Sequence, residues 1–421
     1  MLMASLSSEA MLLQVILQLI VIISAARIGG WIFHKLGQPQ VVGEIATGLL
    51  LGPSCFGRLS PGFSAQLFPD ETSDIFMTLG QLGLIFLMFI VGLEFDFGHL
   101  RGIGRTAGGV AMAGMALPFA MGAGLAYCVH SEVAAEYSRP GFVLFVATAL
   151  SITAIPILGR IMMEFGITRT PLGVLTISAA AVDDAIGWIL LATVSAAVHG
   201  SFSLVPVLQM LACTAAFIGT VFFLIRPVVC HWSHRVLTAN DGALPLAPFS
   251  MMLLLVLASA AFTNWIGIFS IFGPFVLGAS LCDQQSLQKA IRVRLEEFVT
   301  AFLLPVFFTY TGLRTNIGTL DSVYLWIVCG LVVTVAIAGK VIGCGTAARL
   351  GGLSWHDSAS VAIMMNTRAL MGLIAVNIGR DLGVIPDAVF CMMVVMAIVT
   401  TLITAPVLRR LLRLGNSKAV S

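Results

Sequence analysis

Two adjacent carboxylates, Asp183 and Asp184, stand in the middle of ISAAAVDDAIGWILLATV (177–194), an apolar run long enough to cross a bilayer. A charged side chain at the bilayer centre costs about 2.5–3.5 kcal/mol on insertion scales, so a buried acidic pair marks a place where something positive binds. That partner is a metal cation, a proton or a basic side chain. Two basic residues also fall inside apolar runs, Lys340 in VAIAGKVIGCG and Arg368 in MNTRALMGL. Lysine can release a proton, whereas arginine keeps its charge and serves only as a fixed counter-charge or a cavity-lining group. The chemistry these types allow is reversible binding of a cation or a proton inside a membrane.

The elements that must position them are transmembrane helices. Of 421 residues 58% are hydrophobic and 10% charged, with a mean hydropathy of +1.02. Soluble domains carry about 25% charged residues, so this composition excludes one. No polar stretch is long enough for a soluble domain, and no metal-ligand cluster or phosphate loop is present, which argues against an enzyme. The eight cysteines show no CxxC or metal spacing and read as small buried hydrophobes. A net charge of +2 gives no sign of nucleic-acid binding. Before the first apolar run there is no basic segment or cleavage signature, so a short tail is expected in place of a signal peptide.

With about 20 residues per crossing as the ruler, thirteen crossings are predicted, several of them short or broken. They fall at 11–33, 41–53, 74–94, 108–130, 141–163, 171–198, 203–225, 244–264, 268–282, 296–313, 322–348, 357–379 and 386–408. With the N-terminus outside and the C-terminus cytoplasmic, the inner loops and tail hold sixteen basic residues, from Arg27, Lys35, Arg101, Arg105, Arg160, Arg169, Arg226 and Arg235 to Arg409, Arg410, Arg413 and Lys418. The outer loops hold four, Arg58, Arg139, Arg314 and Arg380. This positive-inside bias supports the orientation.

GLEFDFGHL (92–100) and GLRTNIGTL (312–320) share GLxxxxGxL, and each follows a short run with a G-x4-G spacing, Gly43 to Gly48 and Gly273 to Gly278. Matching runs lie seven crossings apart, and an odd offset inverts the topology. Inverted repeats with discontinuous helices place a transport site near the midplane. Such breaks are legible. Thr148, Ser151, Thr153 and Pro156 interrupt the fifth span, and Asn366, Thr367, Arg368 and Gly372 the twelfth. Pro156 removes one helix donor and frees the carbonyl of Ile152. A tolerated proline kink explains the first break alone but not the matched pair.

Pro171 suits a helix start, which puts Asp183 and Asp184 roughly 18 Å along the helix, near the midplane. Neighbours on a helix point about 100° apart, so one aspartate faces another helix and the other a cavity. Lys340 either snorkels to the interface or neutralises one aspartate. Glu44, near a span end, is expected to be structural.

VVGEIATGLLLGP, GLIFLMFIVGLEFD, ATALSITAIPILGR, AVDDAIGW, FFTYTGLRTNIG and MNTRALMGLI together resemble the monovalent cation:proton antiporter superfamily, on the branch of NapA-type and Kef-type exchangers. The resemblance covers nearly the whole chain. It implies an all-α NhaA/NapA-like fold, with core translocation helices at 106–200 and 321–411, dimerisation-type helices at 1–100 and 243–320 and a linker helix at 201–230. It also implies a homodimer in an inner membrane, working by an elevator-like movement. Carried over residue by residue, Asp184 is the ion and proton carrier and monovalent-cation ligand, and Asp183 is salt-bridged to Lys340. Thr148 through Pro156 and Asn366 through Arg368 form the crossed breaks. Kef-type proteins commonly have a nucleotide-binding domain after the last span, and none is expected here.

The expected function is exchange of Na+ or K+ for H+ at Asp184 by alternating access, with no cofactor beyond the transported ions and the bilayer as surroundings. A Kef-like electroneutral K+/H+ exchanger or efflux protein is the alternative. An organic-anion symporter on a related fold is more remote, because it would not need two buried acids, and a passive conduit fits broken helices ending at a carboxylate pair less well.

Overall fold

The computed structural model describes residues 8–94, 100–153, 155–168, 170–198, 204–267 and 270–418, except 369–371, 373–374, 377–378 and 381. Residues 95–99 of the repeat motif and Arg169 of the basic set lie outside this range. Among the described residues all regular structure is helical: α1 (Ser8–Lys35), α2 (Gln40–Leu51), the short α3 (Phe56–Leu59) and α4 (Pro61–Leu67), α5 (Ser73–Glu94), α6 (Leu100–Val133), α7 (Arg139–Ser151), α8 (Ile155–Glu164), α9 (Pro171–Val198), α10 (Leu204–Thr220), α11 (Arg226–Ala239), α12 (Leu246–Trp265), α13 (Phe272–Ser280), α14 (Gln285–Phe298), α15 (Leu304–Leu313), α16 (Val323–Leu350), α17 (Trp355–Met365) and α18 (Asp387–Lys418). Seven helices among the described residues are long and apolar enough to cross a membrane.

Two stretches read as loops are helical. The seventh predicted span ends at 225 and leaves Arg226 and Arg235 in a loop, yet α10 passes into α11 through a π-helical turn, Val221–Ile225. A second π-helical turn, Val299–Leu303, joins α14 to α15. Each precedes a proline at the second position of the next helix, Pro227 or Pro305. Proline lacks a donor and crowds the carbonyl four residues back; the wider turn accommodates it without ending the helix. The helix carrying the tenth predicted span therefore begins well before 296, in an amphipathic α14 whose Leu287, Ile291 and Leu295 are buried at helical spacing.

The chain forms two compact units. The first comprises Met1–Leu84 and Glu297–Thr319. Here α2 crosses α15 where Gly48 meets Gly312: a methyl group on either would strike the other helix's backbone, at Thr309 or Ile45. On the other side of α2, Gly43 lies against the carbonyl of Gly29 on α1. Small residues at such crossings let backbones approach closely, which is how helices associate in lipid. Val15, Ile22, Phe76, Val306 and Tyr310 build this unit's core, where the rings of Phe76 and Tyr310 stack 5.6 Å apart. Glu44 is buried, and its carbonyl accepts from Thr309 Oγ1 at 3.1 Å.

The second unit comprises Ile85–Glu296 and Leu320–Ser421. The end of α5 crosses α13 at Gly92 and Gly278, and Gly273 lies against the carbonyl of Ser259 on α12. Arg292 of α14 pairs with Glu94 at 2.6 Å and with Glu296 at 2.7 Å. The crossing that positions the site is α6 on α16. Gly339 meets Pro118, and Gly343 meets the carbonyl of Ala113. This small-xxx-small face brings α16 close to α6, so that the buried Lys340, the residue after Gly339, passes Gly114 of α6 on its way into the unit.

Candidate functional site

α9 starts as its sequence predicts. Thr170 Oγ1 accepts from the Gly173 amide at 3.1 Å, and Pro171 takes the first helical position. Asp183 and Asp184 follow in mid-helix, 0% and 3% exposed. The first predicted break lies between α7 and α8, with Ile152 and Thr153 outside either helix, and Pro156 stands in the first turn of α8. The second lies at Asn366–Arg368, where α17 ends.

Asp183 is held from two directions. Lys340 Nζ donates to both its oxygens, at 3.1 and 3.0 Å, with both side chains fully buried. The backbone N–H of Thr153, released by the break, donates to Oδ2 at 2.8 Å. Of the two readings open for Lys340, neutralising an aspartate is the one observed; it does not snorkel. The carboxylate oxygens of Asp184 are also enclosed, and the 100° between neighbouring side chains points this carboxylate away from the Asp183 direction.

Arg368 is wholly buried. Its Nη1 donates to the carbonyl of Leu150, and its Nη2 to that of Ala336 at 2.8 Å. Leu150 is among the last four residues of α7, whose carbonyls have no partner within the helix and sit at its negative end. Ala336 lies one turn before Lys340 on α16. The guanidinium thus caps one half-helix and ties it to the helix bearing Lys340. Thr153 Oγ1 completes the link between the breaks, donating to the Met365 carbonyl at 3.2 Å.

The remaining predicted hydroxyls bond back along their own helices. Thr148 Oγ1 donates to the Leu144 carbonyl at 2.7 Å, Ser151 Oγ to that of Thr148 at 2.8 Å and Thr367 Oγ1 to that of Met364 at 2.7 Å. Thr148, Ser151, Thr153, Asn366 and Thr367 are all fully buried; of Pro156 only the backbone position is described. Contributions that escape the sequence reading include the Thr153 amide, the carbonyls of Leu150 and Ala336, and Thr404 of α18, whose hydroxyl reaches the Ile363 carbonyl at 3.3 Å. The first three are backbone groups that any residue would supply. Thr404 stands 41 residues from its partner in an ordinary apolar run.

Among the described residues no group of three or more His, Cys, Asp or Glu side chains is arranged to hold a metal ion. The site is an acidic pair with a lysine and an arginine, all buried, inside a helical unit of membrane-type composition.

Comparison with known proteins agrees in family. The family model described as sodium/hydrogen exchanger, transmembrane, matches residues 21–414. The chain is 39% identical over 402 residues to the Na(+)/H(+) antiporter NhaS4 of Synechocystis, covering 94% of this chain and 96% of that protein. To the Cation/H(+) antiporter 17 of Arabidopsis thaliana it is 35% identical over 404 residues, 96% of this chain but only 49% of that protein, about half its length. In fold it is similar to the sodium proton antiporter MjNhaP1 from Methanocaldococcus jannaschii, with a TM-score of 0.59 at 14% identity, covering 94% and 96% of the two chains. The chain belongs to the sodium/hydrogen exchanger family of the monovalent cation:proton antiporter superfamily, integral membrane proteins with several membrane-crossing helices.

Proposed function

We propose that the chain is a secondary antiporter that exchanges Na+ or K+ for H+, with Asp184 as the carrier and no resident cofactor. The observation that carries this reading is a buried acidic pair of which one member is neutralised by a lysine. Asp183 binds Lys340 and the Thr153 amide, and Asp184 is a second buried carboxylate on a different helix face. A carboxylate holding either a cation or a proton, and never both, couples the two fluxes without a separate gate. Lys340 is the counter-ion of Asp183, and Arg368 is the fixed counter-charge at the α7 end.

The same reading covers the larger scale. Thirteen crossings form two inverted repeats, supported by paired glycine contacts. Gly48 on Gly312 in one unit and Gly278 on Gly92 in the other join positions that the repeat exchanges. Gly43 on Gly29 and Gly273 on Ser259 extend the correspondence to α1 and α12. Residues 106–200 and 321–411 translocate, 1–100 and 243–320 mediate a homodimer, and 201–230 link them. The protein sits in an inner membrane with its N-terminus outside.

The test is cation-driven proton movement in proteoliposomes. Asp184→Asn is expected to abolish it while the protein stays folded. Exchange retained in that variant would sink the assignment of Asp184.

A further inference from the structure

At the two breaks most polar groups are committed, the Arg368 Nε being left over from a guanidinium that is otherwise engaged. The protons of Thr148, Ser151, Thr153 and Thr367 go to backbone carbonyls, Asp183 is taken by Lys340 and an amide, and Arg368 covers two carbonyls. Asn366 differs. Its side chain is 0% exposed, and neither Nδ2 nor Oδ1 has a hydrogen-bond partner among the described residues. A buried amide in that condition keeps the full desolvation penalty of two polar atoms, whereas an apolar side chain of the same shape, such as leucine, would carry none. A group kept at such a position calls for an explanation outside stability.

Its location supplies one. Asn366 follows Met365, whose carbonyl takes the Thr153 hydroxyl; the Thr153 amide in turn binds Asp183, the neighbour of Asp184. The uncommitted amide thus stands at the break next to the acidic pair. An amide oxygen is a hard neutral donor, the type that hard cations take alongside carboxylates. It does not take up a proton in the physiological range, so it favours the cation-loaded form of the site over the protonated form.

We propose that Asn366 is a ligand of the transported cation, giving its Oδ1 beside the Asp184 carboxylate, and that its reach sets which monovalent cation is accepted. This rests on the reading of Asp184 as the carrier. Sodium demands shorter oxygen distances than potassium, so moving this one donor changes the ratio of their affinities.

The experiment compares wild type, N366L, N366Q and D184N in proteoliposomes, with Na+ and K+ titrated separately and thermal unfolding measured in detergent. N366L is expected to unfold no earlier than wild type, yet to raise the KM for at least one cation tenfold or more. The midpoint of its proton dependence should stay in place. N366Q, one methylene longer, should transport with the Na+ to K+ KM ratio changed at least threefold. A folded N366L or N366Q with both KM values and their ratio within twofold of wild type would overturn the proposal. So would failure of both variants to fold, which makes Asn366 structural. Exchange surviving in D184N refutes the carrier assignment itself and is read independently of either Asn366 variant.

Discussion

At the scale of single residues, the ion pair of Asp183 and Lys340 makes the sharpest demand on stability. Both groups are fully buried, and removing one partner of such a pair leaves an uncompensated charge, typically worth about 3–5 kcal/mol. Lys340→Met is therefore expected to lower the unfolding temperature substantially. Adding Asp183→Asn to it should restore part of the loss, because the stranded charge is then gone. Fluorescence-monitored thermal unfolding of the single and double variants checks this; a double variant less stable than Lys340→Met would contradict it. Both aspartates, the lysine and the arginine stand out in the sequence because charge is rare in apolar runs. Their partners do not: the Thr153 amide and the carbonyls of Leu150 and Ala336 carry no side-chain signature.

At the scale of elements, the two breaks are legible in the sequence and the continuous helices are not. Pro156 and the run of Asn366, Thr367 and Arg368 mark the two interruptions because each puts polar or donor-free positions into an apolar helix. Pro227 and Pro305 carry the same stop signal and stop nothing, since π-helical turns absorb them. α17, which delivers the second break, is held at its start by Ser354, whose Oγ accepts from the Asp357 amide at 3.0 Å and donates to its carboxylate at 2.8 Å. Loss of such a cap costs about 0.5–2 kcal/mol, so Ser354→Ala should lower the unfolding temperature modestly, as the same thermal assay would register. The glycine crossings are less forgiving. At Gly278 a side chain would meet the backbone of Phe89, and overpacking there costs about 1–3 kcal/mol or more. Gly278→Leu is expected to fold poorly, as judged by the yield of monodisperse protein on size exclusion; a wild-type yield would show that the crossing tolerates separation.

At the scale of the whole molecule, composition alone identifies a membrane protein, and the family match over residues 21–414 agrees with it. The contacts of Gly43 with Gly29 on α1 and of Gly273 with Ser259 on α12 could not be read from the chain, because Gly29 and Ser259 share no sequence pattern. Which residues cluster into compact units is likewise hidden, since helix ends such as α5 pass from one unit to the other without any change in composition. The central claim is that a proton and a cation compete for Asp184. The most direct measurement is proton release from purified protein when Na+, K+ or Li+ is added separately, between pH 6 and about 9, the interval between ordinary carboxylate and lysine titration. The wild type is predicted to release protons on addition of at least one of these ions, and Asp184→Asn to release none; equal release from the two proteins would contradict the account.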